Sequence, residues 1–309
     1  MNISLIDIGS NTIRLLICEV NHDLGIKRLK SRRVVTRLGN SIVETKSLCK
    51  KGKKATIKAL LSFLKTCRSN NVSNIYAIAT SALRESIDGK EFVREIKETT
   101  GIDVEIISGE EEAGLTLDGI KGFIDKKKST AIVDIGGGST EFIYYNDKIT
   151  IKKSLPIGVV GLKDLFLKKI PPSEDTTRLI ENHVFMLLKD KNILNQMPDQ
   201  LIITGGSATT LACIDKKLKR YNPDLVHLHV INLKTLDHLI KRVSALDIEQ
   251  ISKIIGLDKK RADLILPGML VIKVFLIGFN LDSFTISDYG LLEGLALKKV
   301  NALSSQPTN

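Results

Sequence analysis

Three short segments combine glycine with small hydroxyl or amide residues directly after an apolar stretch. They are DIGSNT at 7–12, DIGGGST at 134–140 and TGGSATT at 204–210. Glycine lacks the Cβ that blocks close approach and permits positive φ, so successive backbone N–H groups can converge on one anion. Any one segment alone is better explained as a simple tight turn. Three in one chain, two of them with an aspartate at the end of a predicted strand, favour phosphate binding.

The first two loops lack the lysine of a GxxxxGK[ST] P-loop, and neither is a GxGxxG that opens into a helix. In the third loop, Ser207 begins an apolar segment, which predicts a helix N-terminus whose partial positive charge favours an anion. The predicted phosphate-binding residues are Ser10, Asn11, Thr12, Gly136, Gly137, Gly138, Ser139, Gly205, Gly206 and Ser207.

Three carboxylates accompany these loops, namely Asp7, Asp134 and Glu141. A carboxylate beside phosphate is repulsive unless a cation lies between them. Mg²⁺ typically binds through one or two carboxylates together with phosphate oxygens. We therefore predict Mg²⁺ as the cofactor, with these three residues as its ligands.

A run of three glutamates in SGEEEAG, residues 108–114, can be sorted by role. Ser108 fits a helix N-cap with Glu111 as its capping-box partner, and Glu110 complements the helix dipole. Glu112 has no such structural role. It is either a third solvated glutamate or a base that takes a proton from an attacking water.

The order of predicted elements indicates an α/β protein with an internal duplication. Strands and helices alternate, and TAIVDIGGGSTEFIYY repeats the opening ISLIDIGSNTIRLLI in kind: an apolar strand, Asp-Ile-Gly, a small polar turn and a second strand. Helical patterns follow at 173–190, 233–244 and 260–277. The apolar stretch Leu264–Phe279 is interrupted by proline, glycine and lysine, which predicts a buried helix and no bilayer span.

Composition narrows the class of protein. Of 309 residues, 43% are hydrophobic and 26% charged, as in a globular protein, and the formal net charge is +11. That excess favours a polyanionic partner, although a generally basic surface would give the same charge. The four cysteines show no CxxC pair and the N-terminus does not resemble a signal peptide, so a reduced, cytoplasmic protein without a membrane anchor is expected.

Three further features have two interpretations each. His227 and His229 alternate on a predicted strand. They either form a metal pair or have a structural or surface role, which is favoured because no carboxylate is predicted beside them. Arg14 either reaches the active site or pairs with an acidic surface residue. Glu293 either helps to close the site or lies on a helix surface.

Seven motifs in order resemble the exopolyphosphatase and guanosine pentaphosphate phosphatase family, over residues 3 to about 298. They are DIGSNTIRLLI, TSALRES, ISGEEEA, VDIGGGSTEF, ITGGSATTLA, RADLILPG and SDYGLLEGLAL. The length resembles that of the short, two-domain members. The resemblance implies a duplicated actin-like, ribonuclease-H-like α/β fold with an active site in the interdomain cleft. Its domains would be 1–124, with a last helix at about 296–309 packing back on it, and 125–309.

The same resemblance implies hydrolysis of a terminal phosphoanhydride with release of orthophosphate. Glu112 matches the family's catalytic base, and Arg84 matches the arginine that binds the terminal phosphate. Asp134 and Glu141 match the carboxylates that place metal and water, and Asp7 matches the first loop. The expected substrate is inorganic polyphosphate, or alternatively guanosine pentaphosphate or tetraphosphate, and the expected assembly is a homodimer.

The chain departs from the family pattern at three positions. Gly114, Tyr289 and Leu292 stand where many relatives carry basic residues. Fewer cations favour short substrates, or a non-catalytic sensor of polyphosphate or alarmone. An actin-like kinase is a further alternative. Specific nucleic-acid binding is not expected, because aromatic residues are 5% of the chain and no binding motif is present.

Overall fold

The computed structural model describes residues 2–20 and 25–304. Its strands are β1 (Asn2–Ile8), β2 (Thr12–Val20), β3 (Ile26–Val35), β4 (Asn74–Ala79), β5 (Val104–Ile106), β6 (Thr130–Ile135), β7 (Thr140–Tyr145), β8 (Thr150–Leu155), β9 (Gln200–Thr204), β10 (Val230–Asn232) and β11 (Ser283–Ile286). Its α-helices are α1 (Ile42–Thr45), α2 (Lys50–Arg68), α3 (Ser81–Glu85), α4 (Gly89–Thr100), α5 (Gly109–Ile120), α6 (Val159–Phe166), α7 (Glu174–Asp190), α8 (Gly206–Asp215), α9 (Pro223–Val226), α10 (Leu233–Ser244), α11 (Ile248–Ser252), α12 (Ile265–Gly278) and α13 (Leu291–Ser304). The predicted α/β class is confirmed.

The chain divides into two compact units. Unit 1 comprises the described residues up to Gly122 together with those from Gly290 onward, and unit 2 comprises Phe123–Tyr289. The C-terminal helix α13 therefore belongs to unit 1. Positions 305–309 of the helix predicted at about 296–309 lie outside the described residues.

The two units repeat one strand order. Unit 1 has the order β3-β2-β1-β4-β5, and unit 2 has β8-β7-β6-β9-β11-β10. In both, the first three strands form an antiparallel meander and the first pairs in parallel with the fourth. The predicted duplication is thus present, and Asp7 and Asp134 occupy the penultimate position of the equivalent strands β1 and β6.

Apolar side chains cover both faces of the unit 1 sheet. One core forms against α2 and α4 and includes Phe63 and Phe92, and the other forms against α5 and α13. Glycine allows α5 and α13 to pack closely, because a Cβ on Gly294 would lie 1.7 Å from the Leu115 carbonyl oxygen. This packing seats the first turns of α5 and α13 on the unit 1 sheet.

Unit 2 has its own core, in which α12 is central. Eleven of the fourteen residues of α12 are buried, so the predicted buried helix over Leu264–Phe279 is confirmed. Within residues 2–20 and 25–304, no helix is both long and apolar enough to span a bilayer.

Candidate active site

The first turn of α5 carries three consecutive glutamates with different surroundings. Glu110 and Glu111 are exposed, whereas Glu112 is only 7% exposed, so the solvated alternative for Glu112 is wrong. Ser108 Oγ accepts the Glu111 N–H at 3.1 Å, and the Glu111 carboxylate accepts the Ser108 N–H at 2.9 Å. The predicted capping box is confirmed. The pKa of Glu111 is lowered, because the Ser108 backbone and hydroxyl donate to its charged form.

Glu112 lies beside Arg84 of α3. Arg84 Nη1 is 3.3 Å from Glu112 Oε2 and also donates to the Ile107 carbonyl oxygen at 2.9 Å. The carbonyl bond restrains the guanidinium, whose donors form a rigid fork. Unit 1 therefore brings together a buried carboxylate and a restrained cation, both of them predicted site residues.

The turn between β1 and β2 buries most of its polar side chains. Asp7, Ser10 and Asn11 are 6%, 3% and 5% exposed. Ser10 Oγ lies 3.0 Å from Ser81 Oγ at the start of α3, so hydroxyls from two loops of unit 1 meet. Thr12 Oγ1 accepts a hydrogen bond from Asn11 Nδ2 at 3.4 Å. The predicted polar residues of the first loop thus cluster at the end of β1.

Arg14 pairs with Asp7. Its Nε donates to Asp7 Oδ2 at 2.9 Å, and the two residues lie directly opposite each other in the β1–β2 register. Asp7 is buried, so the alternative in which Arg14 pairs with an acidic surface residue is wrong. That Arg14 reaches the active site stays a prediction.

Two buried oxygens at this turn fit a divalent cation. Asp7 Oδ1 and Asn11 Oδ1 are buried and have no hydrogen-bond partner. Carboxylate and amide oxygens are ligands of hard cations, and Mg²⁺ usually retains waters or phosphate oxygens as well. Within the described ranges no group of three His, Cys, Asp or Glu residues could hold a metal by itself. The donors therefore fit a cation that is shared with a phosphate ligand.

The segment after β3 fixes the backbone of this turn through hydrogen bonds. Thr36 and Arg37 N–H groups donate to the Asn11 carbonyl oxygen at 3.0 Å, and Gly39 N–H donates to the Ser10 carbonyl oxygen at 2.7 Å. A Cβ on Gly39 would lie 2.9 Å from Ser10 Cβ. The backbone of the turn is therefore fixed by a segment that the sequence analysis did not single out.

In unit 2, Asp134 of β6 and Glu141 of β7 lie directly opposite each other, so their side chains share one face of the sheet. They are 8% and 1% exposed. Ser154 Oγ on β8 donates to Glu141 Oε1 at 2.8 Å. This pair of buried carboxylates has the chemistry needed to hold a cation or a water.

The glycine loop that follows β6 closes with a bond from Gly136 N–H to the Ser139 carbonyl oxygen at 3.0 Å. The first two N–H groups of α6 donate to the carbonyls of Gly136 and Gly137 at 3.1 and 2.9 Å. A Cβ on Gly158 would lie 2.3 Å from the Gly137 carbonyl oxygen. Ser139 is buried, whereas the three glycines, including Gly138, are partly exposed. Backbone hydrogen bonds from α6 thus fix the loop, and its three glycines remain partly exposed to solvent.

The third loop leads into α8, as predicted. Gly205 is the N-cap with φ of 92°, a conformation that favours glycine, and α8 begins at Gly206 with Ser207 buried. A Cβ on Gly205 would lie 2.8 Å from Asp134 Oδ1. Two of the predicted phosphate loops therefore meet beside Asp134 within unit 2.

Arg261 is a residue of this site that the sequence analysis missed. It is 7% exposed, and a Cβ on Gly206 would lie 1.9 Å from its Nη1. The guanidinium thus lies against the start of α8, where a helix N-terminus already favours anions. The signal available in the sequence was its position at the head of RADLILPG, one of the seven motifs.

The favoured structural role is confirmed for His229, but two premises of that interpretation are wrong. The segment is no strand, since α9 ends at Val226 and β10 begins at Val230. A carboxylate is present, because His229 Nε2 lies 2.7 Å from Asp215 Oδ2 at the end of α8. The pair ties α8 to the segment before β10, which is a structural role.

Packing accounts for two of the three departures from the family pattern. Tyr289 packs its ring against Phe123 and His227, with centroid separations of 4.8 and 4.7 Å. Leu292 is 5% exposed in the core between α13 and the unit 1 sheet. Gly114 lies partly exposed in α5, and no contact explains it.

Comparison with known proteins identifies relatives over the whole chain. The chain is 31% identical to a bifunctional 3-dehydroquinate synthase/phosphatase of Fusobacterium nucleatum over 96% of its own length, but spans only 46% of that relative. It is 26% identical to exopolyphosphatase 2 of Mycobacterium tuberculosis, covering 96% of this chain and 97% of that one. The crystal structure of an exopolyphosphatase from Cytophaga hutchinsonii matches with a TM-score of 0.89 at 27% identity, over 98% of both chains.

These matches agree with the duplicated strand order, and the predicted actin-like α/β fold is confirmed. The model of the Ppx/GppA phosphatase family matches residues 16–303, which covers unit 2 and most of unit 1. The chain therefore belongs to the Ppx/GppA phosphatase family.

Proposed function

We propose that this protein is an exopolyphosphatase, which hydrolyses the terminal phosphoanhydride of inorganic polyphosphate and releases orthophosphate. The observation that carries the proposal is the contact between buried Glu112 and Arg84 in unit 1. A buried carboxylate beside a restrained arginine supplies a base for water and a cation for the phosphoryl oxygens. The names of the mycobacterial and Cytophaga relatives support the same substrate class.

In the proposed reaction, Glu112 accepts a proton from water while the water oxygen bonds to the terminal phosphorus. The bond from that phosphorus to the bridging oxygen breaks, and the shortened chain leaves with the bridging oxygen. Arg84 stabilises the charge on the transferred group, as positioned cations do in phosphoryl transfer. The β1–β2 turn and the glycine loops of unit 2 bind phosphate groups through their N–H groups and hydroxyls.

A divalent cation, which we propose to be Mg²⁺, would neutralise charge on the phosphates when bound. In unit 1, Asp7 and Asn11 are the residues that would hold a cation, and in unit 2, Asp134 and Glu141 have the same donor chemistry. The unpartnered oxygens of Asp7 and Asn11 support this assignment. The formal net charge of +11 would favour encounter with a polyanion.

Guanosine pentaphosphate is the second candidate substrate, because its terminal phosphoanhydride has the same chemistry and the family name includes GppA. We also propose a cytoplasmic homodimer. The free cysteines of the described residues agree with a reducing compartment. Light scattering on the purified protein tests the dimer.

Glu112→Gln tests the proposed function. Orthophosphate release from long-chain polyphosphate, tripolyphosphate and guanosine pentaphosphate is measured with Mg²⁺ and without any phosphate acceptor. We expect the parent to release phosphate and the variant to lose at least about 100-fold in kcat, as on loss of a general base. Release without an acceptor also separates a hydrolase from an actin-like kinase.

Glu110→Gln is the matched control, because it makes the same chemical change in the same helical turn at an exposed position. It should retain the parent's kcat. If the folded parent binds polyphosphate or alarmone but releases no phosphate, the proposed enzymatic activity is wrong. A non-catalytic sensor would then be the remaining interpretation. The ratio of kcat/KM values ranks the two substrates.

A further inference from the structure

The basic residues of the edge strand β3 point to different faces of the unit 1 sheet. Arg32 faces α2, because its guanidinium carbon lies 5.3 Å from the centroid of the Phe63 ring and its Nη1 donates to the Ser62 carbonyl oxygen at 3.2 Å. Successive side chains of a strand point to opposite faces. Arg33 therefore points to the other face, which packs against α5 and α13, whereas Lys30 shares the face of Arg32.

On that face, Arg33 extends a row of charged residues from Asp7 to the edge of the sheet. Asp7 on β1 is the register partner of Arg14 on β2, and Arg14 is the register partner of Arg33 on β3. The register shift between β2 and β3 lies elsewhere, between Ile17 and Cys18. Neighbouring strands are about 4.8 Å apart, so the backbones of Asp7 and Arg33 are about 10 Å apart. The row thus leads from a buried carboxylate to an exposed arginine.

The proposed reaction centre lies on the opposite side of Asp7 from Arg33 in the strand order β3-β2-β1-β4-β5. Arg84 belongs to α3, which follows β4, and it donates to the carbonyl oxygen of Ile107 directly after β5. Glu112 lies in the first turn of α5, which packs on the same face of the sheet as the charged row. A chain whose terminal phosphate lies at Glu112 and Arg84 and which passes Asp7 would therefore continue across β2 toward Arg33.

A second arginine of β3 on this face has different surroundings. Arg28 is the register partner of Cys18, and its Nη2 lies 2.6 Å from Glu293 Oε1 near the start of α13. Glu293 is 6% exposed and also accepts the Gly290 N–H at 2.9 Å, so its interpretation as a helix-surface glutamate is wrong. Arg28 thus joins β3 to α13, whereas Arg33 is exposed to solvent, where an anion can reach it.

We infer that Arg33 is a specificity-determining residue, which binds phosphate groups of polyphosphate beyond the terminal one. The inference rests on the proposed function, in which the terminal phosphate lies at Glu112 and Arg84. Like charges directly opposite each other destabilise a sheet, and an anion bound between Arg14 and Arg33 relieves their repulsion. The fork of guanidinium donors matches phosphate oxygens. Arg33 therefore favours long chains over short ones, whose phosphates end before the edge strand.

Arg33→Gln tests the inference, with Lys30→Gln as the matched control, because each removes one positive charge from an exposed position of β3 but from opposite faces. Orthophosphate release is measured from long-chain polyphosphate, counted as chain ends, and from tripolyphosphate. Arg33→Gln should raise KM for the long chain about tenfold, as on loss of one charge-assisted hydrogen bond, with kcat unchanged. Its KM for tripolyphosphate should rise less than about threefold, and Lys30→Gln should keep both KM values within about twofold of the parent.

Calorimetric binding of long-chain polyphosphate to the Glu112→Gln variant is a second readout that does not depend on hydrolysis. Adding Arg33→Gln should lower the affinity about tenfold, whereas adding Lys30→Gln should change it less than about twofold. If the parent binds polyphosphate without hydrolysing it and this pattern holds, the proposed function fails while the inference stands. If the parent hydrolyses polyphosphate but the two substitutions change KM and affinity equally, the inference is wrong while the proposed function stands. Thermal unfolding verifies that every variant is folded, as expected for exposed positions.

Discussion

The two units place an aspartate at the same point of the same strand order but set different residues opposite it. In unit 1, Asp7 is opposite Arg14 and bonds to it, whereas in unit 2, Asp134 is opposite Glu141. An arginine neutralises its aspartate within the protein. Two adjacent carboxylates repel each other, and a shared cation relieves that repulsion. The equivalent positions therefore differ in local charge: the Asp7–Arg14 pair is neutral, whereas the Asp134–Glu141 pair is negative and has the greater need of a cation.

The two turns differ in charge, but similar backbone hydrogen bonds fix them in place. After the third strand of each unit, backbone N–H groups donate to the carbonyls of the turn, from residues 36–39 in unit 1 and 159–160 in unit 2. A glycine without room for a Cβ lies in each supporting segment, Gly39 and Gly158. The duplicated scaffold is thus preserved while the side chains on it differ.

The largest expected effect is on activity and comes from breaking the carboxylate pair of unit 2. Glu141→Gln should lower kcat by about 100-fold or more, because it removes the charge that we assign to holding metal and water. The measurement is orthophosphate release at saturating tripolyphosphate and Mg²⁺.

Ser154→Ala serves as the graded control, because it removes only the hydroxyl that donates to Glu141. Its kcat should fall by about tenfold, as for other supporting partners of a site. If Glu141→Gln retained more than a third of the parent's kcat, the assignment of metal and water to the carboxylate pair of unit 2 would be wrong.

The next largest effect is expected on the free energy of unfolding, when Gly158 and Gly39 are replaced in turn. Gly158→Ala would place a Cβ 2.3 Å from a backbone oxygen, whereas Gly39→Ala would place one 2.9 Å from the Ser10 Cβ. Overpacking typically costs about 1–3 kcal/mol. We expect Gly158→Ala at the upper end and Gly39→Ala near the lower end in urea unfolding. Equal losses in the free energy of unfolding would contradict the difference in available space at the two glycines.

Local features of the site could be predicted from the sequence. Asp7 and Asp134 near strand ends, the capping box at Ser108 and the helix start beside Ser207 all follow from residue patterns within a few positions. Fold class and duplication followed from the alternation of elements and the repeated strand-turn-strand pattern.

Contacts between distant segments could not be predicted in this way. Arg28 and Glu293 are 265 positions apart, and Arg261 reaches Gly206 only through the fold of unit 2. Asp215 meets His229 because α8 and the segment before β10 end side by side. Such pairs depend on tertiary packing, for which hydrophobic periodicity carries no positional signal.

The smallest expected effect on the free energy of unfolding comes from changes in two capping boxes, one in each unit. Ser108 and Glu111 cap α5, whereas Asp247 and Gln250 cap α11. Loss of an N-cap side chain costs about 1 kcal/mol, so Ser108→Ala should lower the free energy of unfolding by about that amount. Glu111→Gln should cost less, because glutamine keeps an acceptor for the Ser108 N–H.

The effect of Glu111→Gln should depend on pH. Because the folded protein lowers the pKa of Glu111 below its ordinary value of 4.5, the charged carboxylate stabilises the fold above pH 4.5. That contribution is lost as pH falls through the lowered pKa, so the variant and the parent should converge in stability in acid. Gln250→Glu in the other box is the reciprocal change and should introduce a dependence of the same sign. Urea unfolding at neutral and acid pH measures both, and a parallel fall of parent and Glu111→Gln would show that Ser108 does not favour the charged form.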